Sequence, residues 1–127
     1  MKAILNNNTD PRIETLANGL YNNNGGTYNI DADAALPMSF KSGYMVVIKK
    51  GIVRCGFDLT PQELNWLINA RDENPGSYIR TWYNRDNNLS YFDIVMRIAF
   101  LEDALPFAKS HNELAIWDNA HKCEIIV

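Results

Sequence analysis

The stretch from Tyr78 to Ile98 constrains this chain more than any other. Phe92, Ile94, Met96 and Ile98 fall on one side of an extended backbone, and Tyr91, Asp93, Val95 and Arg97 fall on the other. Ahead of them, Arg85-Asp86-Asn87-Asn88 is a turn by composition, and Tyr78–Asn84 supplies a first arm. The two arms predict an antiparallel hairpin whose apolar side meets a core.

Other punctuation completes the outline. Tyr44–Ile48 and Ile52–Phe57 flank Lys49-Lys50-Gly51 and read as an earlier hairpin. Thr60-Pro61-Gln62-Glu63 is a capping box with proline at the first helical position. Leu64, Leu67 and Ile68 form the stripe behind it, Trp66 lies to one side, and Asn74-Pro75-Gly76 stops the helix. Nearer the N-terminus, Thr9 or Asp10 caps a helix that begins at Pro11 and carries Ile13, Leu16, Ala17 and Leu20. Asn22-Asn23-Asn24-Gly25-Gly26 ends it, because asparagine and glycine tolerate a left-handed backbone. Residues 27–42 read as irregular, with Leu36-Pro37 blocking a helix. Leu101, Ala104, Leu105 and Ala108 predict a further helix, short or kinked because of Pro106. Leu114–Trp117 and Glu124–Val127, joined by residues 118–122, form a last hairpin. The expectation is one α+β domain over residues 1–127, with a small, mainly antiparallel sheet of β-hairpins and two to three helices. Residues 1–41 hold the N-terminal helix and irregular segment, and residues 42–127 a hairpin-helix-hairpin-helix-hairpin core.

Composition narrows the classes of function. At 127 residues, with 46% hydrophobic and 21% charged residues, the chain buries roughly two thirds of its unfolded surface without a staple. A formal charge of -3 provides no basic footprint, so direct nucleic-acid binding is not expected, and it is too mild for a DNA mimic. Sixteen asparagines against one glutamine, Gln62, fall mostly at predicted boundaries, where a short amide supports caps and turns. Cys55 and Cys123 are read as two buried free thiols, with a disulfide left open because their strands could be neighbours. No Cys-x-x-Cys pair exists, and the histidines are His111 and His121, so neither a metal nor a cofactor is expected. The N-terminus turns polar at Asn6-Asn7-Asn8 and no apolar run approaches ~18 residues, so a soluble, cytoplasmic protein with no membrane partner is expected.

Reactive constellations are weak. Asp31 and Asp33, two apart, read as the cap of a short helical turn before they read as a hard-metal pair. Asp93 is a polar strand residue if its face is solvated; if covered it needs a cation, and Arg80 or Arg97 is at hand. Ser110-His111 lacks the geometry of a triad, since helix neighbours do not face each other. His121 and Cys123 would share a strand face and form a conceivable Cys–His pair. There is no Gly-x-Ser-x-Gly elbow and no phosphate loop. Aromatics are the remaining signal, with Tyr78, Trp82, Tyr83, Tyr91, Phe92 and Trp117 gathered on the last strands. Trp82 shares a face with Tyr78 and Arg80, and Tyr83 points the other way, so one of Trp82 and Tyr83 belongs to the core. The candidate binding surface is Trp82, Tyr83, Asn84, Arg85, Tyr91, Asp93 and Trp117, aromatic and polar types that interfaces and base-stacking surfaces use.

Several segments resemble a pattern found in small, mostly uncharacterised proteins of bacteriophages and mobile elements. They are Ser42-Gly43-Tyr44-Met45-Val46, Ile79-Arg80-Thr81-Trp82-Tyr83, Tyr91-Phe92-Asp93, Ala104, Ala108 and Asn112-Glu113-Leu114-Ala115-Ile116-Trp117-Asp118. The resemblance covers residues 42–127, and members often carry glutamine at the position of Glu113. It implies the host cytoplasm as setting and no catalytic residue. The function expected is therefore a non-enzymatic binding protein that contacts a host protein or complex, an anti-CRISPR or anti-restriction inhibitor being one form. The alternatives are a nucleotide-binding or signal-sequestering protein, and a small enzyme using Asp93 or the His121–Cys123 pair. An edge strand in a small open sheet also allows a homodimer.

Overall fold

A computed structural model describes residues 10–127. Thr9 as a cap and Asn6–Asn8 as a boundary lie outside the described residues. Along the chain run α1 (Pro11–Asn23), β1 (Gly25–Ile30), β2 (Ala35–Met38), β3 (Tyr44–Cys55) and α2 (Pro61–Asp72). They are followed by β4 (Ser77–Asn84), β5 (Leu89–Ile98), α3 (Leu101–Ser110), β6 (Ala115–Asp118) and β7 (Cys123–Ile126). The strands form one antiparallel sheet in the order β2-β1-β4-β5-β3-β6-β7. The fold is α+β, and the seven-stranded sheet curls into a half-barrel.

The helix starts follow the local signals. The Asp10 carboxylate accepts from the Arg12 backbone N–H at 2.9 Å, and the Arg12 guanidinium folds back onto the same carboxylate at 2.8 Å. Asn24, at φ 61, closes α1. In α2, Thr60 Oγ1 accepts from Glu63 N at 3.1 Å and Glu63 Oε1 accepts from Thr60 N at 2.8 Å, the reciprocal box expected. Glu63 also pairs with Arg54, which ties α2 to β3.

Two expectations are corrected. Residues 27–42 are not irregular: β1 and β2 make a hairpin in which Thr27 faces Met38 and Ile30 faces Ala35. Asp31 builds its turn by accepting from Asp33 N at 2.8 Å and Ala34 N at 2.7 Å, so it neither caps a helical turn nor joins Asp33 as a ligand pair. Pro37 is tolerated because β2 is an edge strand, with no further strand needing its missing N–H. The second correction concerns Lys49-Lys50-Gly51. There is no turn there; β3 runs through it as one twelve-residue strand. Both halves of β3 pair with the unbroken β5, from Tyr44↔Ile98 to Cys55↔Leu89, and the surplus residues are taken up as bulges around Ile48 and Lys50-Gly51. Gly51 is needed for close approach, since a Cβ there would lie 2.1 Å from the Phe92 carbonyl oxygen.

All three helices cover the same side of the sheet. Leu16 and Leu20 of α1 and Leu64 and Leu67 of α2 bury against Ile79, Phe92 and Ile94, forming the main core. Ala104 and Ala108 of α3 meet Val46 and Ile116 in a smaller one. Tyr83 belongs to the helix side, edge-on to Phe57 at 5.0 Å. The cysteines are not buried: both are exposed and free. They are also not neighbours, because Tyr44 pairs with Asp118 and Asp118 with Cys123, leaving Cys55 farther along β3 by the span of β5 from Ile98 to Leu89, roughly 30 Å of strand.

Candidate functional site

The strand alternation that sends Ile79, Thr81, Phe92 and Ile94 toward the helices sends Tyr78, Arg80, Trp82, Tyr91, Asp93 and Val95 to the other face. Among the described residues no helix covers that face, and the sheet curls around it. Strands β4 and β6 are separated by β5 and β3, about 14 Å in a flat sheet. Even so, the Arg80 guanidinium on β4 lies 5.2 Å from the centre of the Trp117 ring on β6. The concavity holds a cavity of about 580 Å³ lined by Met45, Lys50, Tyr91, Asp93, Leu114 and Glu124 among others. A second, of about 340 Å³, lies toward Asn23, Asn24, Phe40 and Lys122. Arg80, Trp82 and Trp117 line both, so the two form one groove with these three side chains at its centre.

Register sets what the groove presents. Trp82 faces Tyr91 across β4 and β5, and the rings stack at 4.7 Å and 14°. Trp82 nevertheless remains 41% exposed, with one ring face covered by Tyr91. One step along, Arg80 faces Asp93. These two do not close an ion pair: among the described residues no carboxylate lies within 4.0 Å of the Arg80 guanidinium. Asp93 Oδ1 instead accepts from the Gly51 backbone N–H at 3.0 Å, a donor that the bulge in β3 aims at it. Half-burial pushes the Asp93 carboxyl above its ordinary value, against the opposing pull of the Gly51 N–H, Arg80 and Lys50. The same desolvation draws Arg80 below its ordinary value, with Asp93 and Glu124 acting in the other direction. The centre of the groove is thus a desolvated guanidinium, an aromatic ring against it, and donors that no carboxylate of the described residues satisfies.

Of the candidate residues, the structure brings together Trp82, Tyr91, Asp93 and Trp117. It does not bring Tyr83, Asn84 or Arg85 to them. Tyr83 packs on the helix side and its hydroxyl donates to Asn88 Oδ1 at 2.7 Å. Asn84 Oδ1 accepts from Asp86 N at 2.9 Å, a turn contact. Arg85 lies 5.9 Å over the Tyr83 ring, away from the groove. The hairpin tip is therefore a self-contained turn. Arg80 is a groove residue absent from the candidate surface, although its spacing puts it on the same strand face as Trp82 and the register sets it opposite Asp93. Met45, Lys50 and Glu124 carried no such signal, because only the bulge and the curl turn them inward.

The reactive pairs are set elsewhere. His121 lies in the β6–β7 turn, outside the strand that Cys123 begins, and its Nδ1 meets Asp118 Oδ2 at 2.8 Å rather than the thiol. Ser110 Oγ and His111 Nδ1 do approach, at 3.1 Å, because His111 falls just past the end of α3. Both side chains turn to the Phe107 carbonyl, at 2.6 and 2.9 Å, and among the described residues no acid orients the imidazole. Among the described residues no three His, Cys, Asp or Glu side chains gather as a metal site, and no helix is long and apolar enough to cross a membrane. Comparison with known proteins finds no matching family model, curated protein or solved structure.

Proposed function

We propose that this chain is a non-enzymatic binding protein whose working surface is the concave face of the sheet, where a ligand is held and sequestered. The observation that carries this reading is Arg80, a half-buried guanidinium at the centre of a groove, backed by Trp117 and without an ion-pair partner among the described residues. A desolvated arginine fork recovers hydrogen bonds when an oxyanion enters, and the flanking rings supply apolar contact that excludes water. The phage or mobile-element resemblance suggests a setting in which small proteins often act by binding a host component.

A second reading is that the same face grips a host protein, as an inhibitor of CRISPR or restriction machinery would. One observation favours it: Leu114 and Ile126, beside the groove, are 81% and 75% exposed. Capture from bacterial lysate separates the two when retained proteins and heat-released small molecules are both identified by mass spectrometry. The full chain is compared with its Arg80→Met and Trp82→Leu variants. A species retained by the natural chain and lost by both variants supports groove binding, and its nature decides between the readings. Identical retention by all three chains would remove the concave face from consideration.

A further inference from the structure

We infer that the groove binds a mononucleotide whose phosphate carries a single negative charge, with the base on the Trp82 ring and the phosphate on Arg80. This rests on the ligand-binding reading above and gives it a chemical class. The first argument is spacing. Arg80 and Trp82 are two residues apart on one face of β4, roughly 6.5 Å, and lie on a rigid inner strand. Both residues line the two cavities that make up the groove, so one ligand in it can engage the guanidinium and the indole together. Trp82 is ready to stack. Tyr91 supports one face of its ring at 4.7 Å and leaves the other to the groove, and any base offers a π-face to it. Asn23 and Asn24 line the end of the groove nearest Trp82, and amide residues suit the polar edge of a base.

Charge decides the number of phosphates. The cations lining the groove are Arg80, Lys50 and Lys122, and the carboxylates are Asp93, Glu113 and Glu124. Positive charge is not in excess, so a triphosphate would meet as much repulsion as attraction. The three helices of the described residues lie on the opposite side of the sheet, so none of their N-termini supplies the backbone donors that polyphosphates use. A single phosphodiester charge fits one guanidinium, which binds it through two parallel N–H donors. A nucleic-acid polymer is disfavoured by the net charge of -3.

The test is calorimetry, paired with tryptophan fluorescence, on the full chain. The probes are cyclic AMP, cyclic GMP, ATP, adenosine and inorganic phosphate. At least one cyclic nucleotide is expected to bind and to quench the fluorescence, with ATP and adenosine each about tenfold weaker or more. Arg80→Met should erase the preference of cyclic AMP over adenosine. Trp82→Leu, at an exposed position, should cost about tenfold and reduce the quenching. ATP binding as tightly as the cyclic nucleotides would overturn the inference, as would a phosphate preference that survives Arg80→Met. Absence of heat and quenching up to about 1 mM of every nucleotide would also overturn it. The wider reading is judged separately, by whether the lysate experiment still retains a species that Arg80→Met and Trp82→Leu lose.

Discussion

Asp93 and Asp118 give opposite responses to pH. The Asp118 carboxylate accepts from His121 and from the backbone of Ala120 and His121, which holds its pKa below 3.8. Its contribution to stability is present above 3.8 and is lost as pH falls through the depressed value. Burial holds Asp93 above 3.8, so the fold favours its neutral form; that advantage is full below 3.8 and is lost as pH rises through the elevated value. Asp93→Asn keeps an acceptor for Gly51 and should therefore be more stable than the natural chain at pH 7, the gap closing toward acid. Asp118→Asn should be less stable at pH 7, its gap also closing toward acid. Urea midpoints across pH check both, and an Asp93→Asn variant that is weaker at pH 7 would contradict the burial argument. Ser90 offers a simpler case. Its Oγ is fully buried without a partner among the described residues, so Ser90→Ala should raise stability or leave it within about 0.5 kcal/mol. A loss beyond about 1 kcal/mol on urea denaturation would reveal a missed hydrogen bond.

Among the elements, β3 shows what the sequence conceals. Gly51→Ala places a methyl group against the Phe92 carbonyl and should cost about 1–3 kcal/mol in chemical denaturation. It also displaces the N–H that holds Asp93, so a ligand of the groove should bind more weakly to it. If the segment were the turn its composition resembles, the same change would be nearly neutral. Lys49-Lys50-Gly51 reads as a turn because polar residues and glycine also serve bulges, and only the uninterrupted alternation of the partner, Leu89–Ile98, distinguishes the two. The β4–β5 hairpin was legible because turn chemistry and strict alternation agree. By contrast, β1 and β2 were not, since Gly25-Gly26 and Pro37 are poor strand formers tolerated there by tertiary pairing. Spacing alone put Tyr91 with Asp93 on one strand and Trp82 with Arg80 on the other; that the two pairs share a face follows from the hairpin register. Their union with Trp117, and the exclusion of Tyr83 and Arg85, depended on curl and on which face the helices cover.

For the molecule as a whole, protection should follow position in the sheet. In the interior, Ile79, Phe92 and Ile94 are fully buried on paired strands, whereas among the described residues β2 and β7 each have one neighbour, with half of β2 and most of β7 exposed. Native-state hydrogen exchange is expected to be slowest at those interior amides and fastest in β2 and β7. Slow exchange in β7 of the monomer would contradict this, while slowing that appears only at high concentration would show the open edge pairing with a second copy. The strand order has one more consequence. Long β3 pairs only with β5 and β6, both encoded after it, and β1 waits likewise for β4. On a ribosome adding roughly 5–20 residues per second, Val46, Val47, Ile48, Ile52 and Val53 stay without their sheet partners for seconds. Synthesis therefore leaves a sticky, extended segment in the open until the second half of the chain arrives. The nascent protein is a natural client for a chaperone that holds such segments, and its yield should track the pace of translation through residues 56–98.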